Sequence, residues 1–264
     1  MEAESFYDEN APQEWERLER HRTEFAVTLK VLNEFLPSTP CSVLDIGSGP
    51  GRYAIELTRL GYEVTLMDVS NESLKLAKEK ADEAGVSIKA YIYGNALSVS
   101  QCVSGLFDAV LLMGPLYHLL SSTERRKAVQ EVMNVLRSGG KLFASFITLY
   151  APFRDAAKNA PEWLIKNADY AHRMLETGLH DKPTHWAKAY FARPDEIVPL
   201  MESYGLKTLG LVGCEGIVAG HEEKVNDLDG EDWMAWVELN YQLGQEPSLY
   251  GASDHLFYIG EKSG

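Results

Sequence analysis

The feature that most constrains the fold of this chain is a glycine-rich loop between an apolar strand and a helix, in the segment LDIGSGPGR at residues 44–52. Glycines let the backbone turn tightly and approach a ligand closely, and the following helix offers unpaired N–H groups at its first turn. A second apolar strand ends at Asp68, about 20 residues on, where a carboxylate can accept hydrogen bonds from both hydroxyls of a ribose. The pattern predicts a nucleotide-binding α/β fold.

The spacing of the glycines and the charge beside them indicate which nucleotide binds. A dinucleotide site places a third glycine, or an alanine, three residues after the second, so that helix and strand pack closely around a pyrophosphate. Arg52 stands at that position, and Asp45 would repel a pyrophosphate but suits a ligand with an ammonium group. S-adenosylmethionine has a ribose, no phosphate and an amino-acid tail, and we predict it as the cofactor. The alternative is an NAD-dependent oxidoreductase on a similar scaffold.

Strands alternate with helices through the first half of the chain. An amphipathic helix over 13–36 precedes five predicted strands, which are separated by helices and lie at residues 42–46, 63–67, 87–93, 107–113 and 141–147. This alternation indicates βαβ crossovers and a parallel sheet. A helix at 194–204 and strands at 206–212 and 255–260 follow, and two irregular inserts rich in aromatic residues separate them from the core and from each other.

No linker divides the chain, so we predict one domain over residues 1–264. Its parts are an N-terminal helical cover at 1–40, a cofactor-binding core at 41–147, and two substrate-lid insertions at 148–192 and 216–252. We expect both insertions to lie over the carboxyl edge of the sheet.

The charge balance narrows the choice of partners. With 25 Lys and Arg against 39 Asp and Glu, the net charge of −14 repels phosphate backbones and anionic lipids, so we predict neither a nucleic-acid nor a membrane partner. Three scattered cysteines argue against disulfides and structural zinc, and we predict no metal site. No signal peptide begins the sequence, and the apolar run at 107–120 is too short to span a bilayer. The expected location is the cytoplasm; the sequence does not indicate the oligomeric state.

Residues 42–147 resemble the core of the class I S-adenosylmethionine-dependent methyltransferases, including the segment LRSGGKL at 136–142 before the fifth strand. The helix at 194 and the strands at 206 and 255 match the helix and antiparallel hairpin that complete the sheet in that family. The resemblance therefore implies a Rossmann-like α/β fold whose seven-stranded sheet is mostly parallel, with the last strand antiparallel and with helical lid insertions.

The resemblance also implies which residues bind the cofactor. Asp68, followed by Val69, would hold the ribose. Asn95 and Ala96 would meet the adenine ring, at a position where the family more often has Asp. The loop residues and the end of the fourth strand would lie against the methionine part and beneath the sulfonium, namely Asp45, Gly47, Ser48, Gly49, Gly51, Met113 and Gly114. In similar methyltransferases an N-terminal segment closes over the cofactor; Tyr7 would then close the pocket, and Arg22 would pair with the methionine carboxylate.

Candidate catalytic residues follow the fourth strand. Tyr117 and His118 would lie at the carboxyl edge of the sheet, where they can orient an acceptor or remove its proton. The alternative is that His118 only packs or caps the start of a helix. Methyl transfer from a sulfonium needs no catalytic triad, because the donor is already activated.

Histidine and tryptophan residues of the insertions have two interpretations. The spacing of the histidines matches no metal-binding motif, so we expect them to be solvated or to pack within the lid; they are His172, His180, His185 and His221. The tryptophans either wall an apolar acceptor pocket or form the core of the lid itself; they are Trp163, Trp186, Trp233 and Trp236. The resulting hypothesis is a methyltransferase acting on an O, N or S nucleophile of a small molecule, with a non-catalytic S-adenosylmethionine-binding protein as a further alternative.

Overall fold

A single sheet of seven strands organises the part of the chain that the structure, a computed structural model, describes, which is residues 2–182 and 187–264. The strands are β1 (Ser42–Ile46), β2 (Glu63–Asp68), β3 (Ala90–Tyr93), β4 (Phe107–Leu112), β5 (Leu136–Ile147), β6 (Leu179–His180), β7 (Ala189–Tyr190), β8 (Leu206–Gly213) and β9 (His255–Lys262). The order in the sheet is β3-β2-β1-β4-β5-β9-β8, and β6 pairs with β7 in a separate ribbon.

The pairing confirms the predicted fold class. Strands β1 to β5 run parallel to one another, whereas β9 runs antiparallel to both β5 and β8. The last strand is thus inserted between β5 and β8 rather than placed at the edge of the sheet. Because the strands of the core are parallel, the carboxyl ends of β1, β2, β3 and β4 meet at one edge, where ligands bind in open α/β sheets.

Helices cover both faces of the sheet and the loops above it. They are α1 (Glu2–Arg20), α2 (Arg22–Phe35), α3 (Arg52–Arg59), α4 (Asn71–Glu83), α5 (Val99–Cys102), α6 (Pro115–His118), α7 (Ser122–Val135), α8 (Ala151–Asn159), α9 (Trp163–Lys166), α10 (Ala168–Thr177), α11 (Pro194–Glu202), α12 (Glu222–Asn226) and α13 (Gly230–Gly244). Two 3₁₀ turns lie at Gly216–Val218 and Pro247–Ala252.

Alternation along the buried strands divides the core into two layers. In β4, Leu111 packs against the layer that holds α2, α3 and α13, whereas Leu112 packs against the layer that holds α7 and α11. Successive side chains of a strand point to opposite faces, so a strand covered on both faces is apolar throughout.

Several elements differ from the prediction, among them β5, which begins at Leu136 rather than at residue 141. The single helix expected at 13–36 is two helices that meet at His21, and α1 already begins at Glu2. Strand β3 begins at Ala90 rather than at residue 87. The first insertion, for which no strand was expected, contains the β6–β7 ribbon and a small core of its own around Leu149, Met174 and Phe191.

Within the described residues, no helix combines the length and apolar character needed to cross a bilayer.

Candidate active site

A cavity of about 820 Å³ opens at the carboxyl edge of the sheet. Its floor is formed by the loop after β1 and by the ends of β2, β3 and β4, and its roof is formed by α1 and by residues 187–188 of the first insertion. The volume lies within the range of roughly 300–1,000 Å³ that is typical of small-molecule and cofactor sites. The cavity can therefore hold a nucleoside-sized ligand together with a small second molecule.

The glycine loop forms one wall of the cavity. Gly47 has a φ of +74°, and a Cβ placed on it would lie 2.5 Å from Cδ of Pro115, so only glycine fits where the loop meets the segment after β4. Ser48 and Gly49 also line the cavity. Gly51, which was predicted to touch the cofactor, does not line the cavity: it precedes α3 and faces Leu66 and Ala77, so its role is to pack the helix against its neighbours.

Asp68 lies at the end of β2 with its carboxylate braced by backbone groups. Its Oδ2 accepts a hydrogen bond from the Gly49 N–H and its Oδ1 accepts one from the Ser70 N–H, both at 2.8 Å. Burial raises the pKa of Asp68, and these backbone donors oppose the increase. An ionised carboxylate has about four acceptor positions, so Asp68 can still accept hydrogen bonds from a ligand. Val69 lines the cavity beside it.

Asp45 is buried at the end of β1 and lines the same cavity. Burial raises its pKa to about 7, and repulsion from Asp68 adds to the increase. A positively charged group beside this carboxyl would favour the ionised form. The floor of the cavity therefore suits a ligand that brings a cation.

The segment after β3 lines the cavity on the side of β2. Asn95 and Ala96 both face it, and Asn95 Oδ1 accepts a hydrogen bond from the Leu97 N–H at 2.8 Å. This bond fixes the orientation of the Asn95 amide, which leaves its N–H groups as donors to a ligand.

His118 lies at the end of α6, and Met113, Gly114 and Tyr117 line the cavity beside it. The Lys188 carbonyl lies 3.3 Å from Nδ1 of His118, and the Tyr7 hydroxyl lies 2.6 Å from Nε2. This pair of partners fits the tautomer in which Nδ1 donates and Nε2 accepts. Burial lowers the pKa of His118, outweighing the contact with Lys188, so the imidazole is neutral at pH 7.

Arg17, on α1, reaches into the cavity between two carboxylates. Its Nη1 donates to Oε2 of Glu24 and its Nε donates to Oε1 of Glu14, both at 2.7 Å. Glu24 belongs to the first turn of α2 and is buried, whereas Glu14 is partly exposed. The two helices thus place a guanidinium beside the glycine loop.

Comparisons with known proteins agree with this geometry. A family model described as a methyltransferase domain matches residues 43–140. The ubiquinone biosynthesis O-methyltransferase of Pectobacterium carotovorum is 30% identical over 173 residues, which is 65% of this chain and 64% of that protein. The protein of the same name from Cronobacter sakazakii is 30% identical over 204 residues, 76% of this chain and 72% of that protein.

The chain belongs to the class I S-adenosylmethionine-dependent methyltransferases. It spans somewhat less than two thirds, 64%, of the Pectobacterium relative. The solved structure of a methyltransferase of this kind from Methanosarcina mazei superposes with a TM-score of 0.58 at 19% identity, covering 88% of this chain and 97% of that one, which supports the fold. The cofactor of the family is S-adenosylmethionine, and this membership argues against the NAD-dependent alternative.

Arg22, like Gly51, is a predicted cofactor residue that does not line the cavity. Its Nη1 donates to the carbonyls of Asn226 and Leu228 at 2.9 Å, and its guanidinium lies 4.0 Å from the ring centroid of Trp233. Arg22 therefore anchors α2 to the second insertion and does not line the cavity. Arg17, on α1, lines the cavity instead, as does Arg52 at the start of α3.

The second insertion does not cover the cofactor cavity. Trp233 and Val237 on α13 belong to the core layer against α2, and none of residues 216–252, all of them described, lines the cavity. Aromatic composition alone does not distinguish a lid from a core layer, and the described contacts of Trp233 and Val237 are those of a core layer. In the first insertion, Trp163 packs on the small core around Leu149, Met174 and Phe191; His185 and Trp186 lie outside the described residues.

Proposed function

We propose that this chain transfers the methyl group of S-adenosylmethionine to a hydroxyl oxygen of a small-molecule acceptor. The observation that carries the proposal is a neutral, partly buried His118 whose Nε2 faces an O–H group inside the cofactor cavity. The names of the relatives, which are O-methyltransferases, support oxygen as the acceptor atom. An acceptor hydroxyl has to lose its proton during methyl transfer, and a neutral histidine can take up that proton as a general base.

The residues of the cavity fit the cofactor part by part. Asp68 would accept from the ribose hydroxyls, Asp45 would face the ammonium group, and Arg17 would receive the carboxylate of the methionine part. Asn95 and Ala96 would border the adenine. Bound S-adenosylmethionine supplies a methyl group on a positively charged sulfur, so the protein chiefly has to position the acceptor and exclude water.

Tyr7 shows how an acceptor can be placed. Its hydroxyl occupies the position from which an O–H group reaches Nε2 of His118, and its ring packs edge-on against the imidazole. An acceptor hydroxyl that replaced it would stand over Met113 and Gly114, where the family places the sulfonium. Tyr117 also packs edge-on against the imidazole, with ring centroids 4.8 Å apart, and would orient the acceptor. Helix α1 and residues 187–188 would close the site against water.

Incubation with methyl-labelled S-adenosylmethionine and a panel of small phenols, amines and thiols tests the function. We expect labelled product, identified by mass spectrometry, from one or more phenols. The Asp68→Ala variant should bind the cofactor roughly a hundredfold more weakly, since it loses hydrogen bonds to a charged group. Transfer to amines alone would contradict oxygen as the acceptor atom, and cofactor binding without transfer to any acceptor would favour a non-catalytic binding protein.

Cofactor affinity should depend on pH through Asp45. The pKa of Asp45 is about 7 in the free protein, and an ammonium group beside the carboxylate would lower it. Binding below pH 7 must then release a proton, so the association constant should fall by up to about tenfold per pH unit below pH 7 and level off above it. Calorimetric titrations between pH 5.5 and 7.5 measure this slope.

The variant Asp45→Asn is the control for that dependence. It should bind more weakly at pH 7.5 and show a flatter pH profile, with a residual slope from the neighbouring Asp68, whose pKa is also raised by burial. A wild-type affinity that does not change with pH would place the ammonium group away from Asp45.

A further inference from the structure

Behind Arg17 lies a row of three charged groups, Glu24, His255 and Glu215, whose charges alternate. Nδ1 of His255 lies 3.8 Å from Oε2 of Glu24, and His255 is hydrogen-bonded to Glu215. The side chains of Glu24, His255 and Glu215 are 8%, 15% and 1% exposed. The row leads from the cavity wall into the protein, and neither Glu215 nor His255 lines the cavity.

The inner end of the row is fixed to the backbone. Oε2 of Glu215 accepts hydrogen bonds from the N–H groups of Asp254 and His255 at 3.1 and 2.7 Å and from the Ser253 hydroxyl at 2.8 Å. These residues enter β9, which lies between two other strands of the sheet. The hydrogen bonds from the start of β9 and the residues before it therefore fix the position of the Glu215 carboxylate.

Each charged group of the row stabilises the ionised form of its neighbour. Burial alone would lower the pKa of His255, but Glu24 and Glu215 outweigh it and raise the pKa to about 9, so the imidazole is cationic at neutral pH. Burial would raise the pKa of Glu24, but Arg17 and His255 lower it. Glu24 is thus held ionised between a cation on each side.

The two carboxylates that bind Arg17 differ in their freedom to leave it. If Glu24 moved away from Arg17, it would also lose its contact with His255 in a buried site, and separating a buried charged pair is costly. Glu14 is 25% exposed, and it lies next to the glycine loop, with Cγ 3.8 Å from a Cβ placed on Gly49. An incoming carboxylate can therefore displace Glu14 from Arg17 while Glu24 keeps the guanidinium in place.

We propose that Glu24, His255 and Glu215 are positioning residues that hold Arg17 ready to receive the methionine carboxylate of the cofactor. This inference rests on the proposed function only for the identity of the ligand. Ligand atoms of these three residues lie within 4.8 Å of one another, close enough to share a metal ion. The row instead meets its need for positive charge with Arg17 and a protonated His255, so a chelator should leave cofactor affinity unchanged.

Two ligands that differ only in the amino-acid part distinguish a role in positioning Arg17 from a general destabilisation of the protein. S-adenosylhomocysteine carries the carboxylate, whereas 5′-methylthioadenosine keeps the nucleoside and the thioether but lacks the amino acid. In Glu24→Gln and His255→Gln we expect calorimetry to show a loss of S-adenosylhomocysteine affinity of roughly ten- to hundredfold, the range for hydrogen bonds to charged groups. Affinity for 5′-methylthioadenosine should change by less than about twofold, the usual scatter for sites that do not interact.

Two single arginine variants and one double variant complete the experiment. Arg17→Met should show the same selective loss, and the double variant Arg17→Met/His255→Gln should show no further loss, because both changes remove one interaction. Arg22→Gln, in the arginine outside the cavity, should bind both ligands as the wild type does. If His255→Gln yields too little folded protein, Glu24→Gln tests the same link from the cavity side.

Each of the following results would overturn the proposal. A parallel loss of affinity for both ligands would indicate a structural role, an additive double variant would indicate that His255 acts independently of Arg17, and a loss of affinity on adding EDTA to the wild type would indicate a metal site. A wild type that binds neither ligand would refute the proposed function as well, whereas tight wild-type binding with unaffected variants would refute this inference alone.

Discussion

Replacing His118 with glutamine should lower kcat for a hydroxyl acceptor by a factor of about 10²–10⁴, the contribution of a positioned general base. A glutamine amide keeps a hydrogen-bonding group near the Tyr7 hydroxyl, which Nε2 of His118 contacts, but it cannot take up a proton. Cofactor affinity should remain close to that of the wild type, because the change affects the acceptor side of the cavity. Initial rates with the phenol that is methylated best, together with cofactor titration, measure both quantities.

The pH profile distinguishes a base from a packing residue. Burial holds the pKa of His118 below its usual 6.5, so at saturating S-adenosylmethionine the wild-type kcat/KM for the acceptor should fall only at pH values below 6.5, where the imidazole becomes protonated. That acid limb should vanish in His118→Gln. The control is His172→Gln, since His172 is exposed on α10 and contacts the Ala168 carbonyl. An unchanged kcat in His118→Gln would leave His118 with the packing role that the sequence also allowed.

Four of the predicted cofactor residues that line the cavity share one property: each stands at or near the end of a strand. Asp45 is the last but one residue of β1, Asp68 ends β2, and Asn95 and Met113 follow β3 and β4; parallel pairing brings these strand ends together at one edge. Once the alternation of strands and helices was recognised, their proximity followed from topology alone. No knowledge of side-chain packing was required.

Arg17 was missed because the choice between two arginines depends on tertiary docking. The helical periodicity at 13–36 gave no sign of the break at His21, which lets α1 turn away from α2. Helix α1 is held over the cavity by contacts to distant residues, among them Asp8 with the Ser70 hydroxyl at 2.7 Å. The pairs of acidic and basic residues at Glu14, Arg17 and Glu24 were the available signal, but such pairs are common on solvent-exposed helices.

His255 and Glu215 were missed for a related reason. They are 40 residues apart in the chain, and the β8–β9 pairing joins the segments that carry them. Neither residue lies in a motif with fixed spacing. The second insertion shows the same limit, since its tryptophans are apolar enough for a lid or for a core, and only the packing of α13 on α2 decides between them.

Changing Gly47 to alanine should weaken cofactor binding roughly a hundredfold, which corresponds to about 3 kcal/mol. A left-handed φ of +74° costs a residue with a Cβ about 1–2 kcal/mol. The new methyl group would also lie 2.5 Å from Cδ and 2.9 Å from Cγ of Pro115. The loop therefore has to shift, and it carries Gly49, whose N–H braces Asp68. Titration with S-adenosylhomocysteine and thermal unfolding measure the two effects.

The chain contains a matched control for this variant. Gly139 has a φ of +73°, almost the value at Gly47, but a Cβ placed there meets no atom within 4 Å. Gly139→Ala should thus lose about 1–2 kcal/mol of stability through backbone strain alone and should bind the cofactor like the wild type. Because both variants place a Cβ on a left-handed backbone, the difference between their cofactor affinities measures the effect of the contact between the loop and Pro115. Equal cofactor affinities in both would mean that the close approach at Gly47 does not shape the binding site.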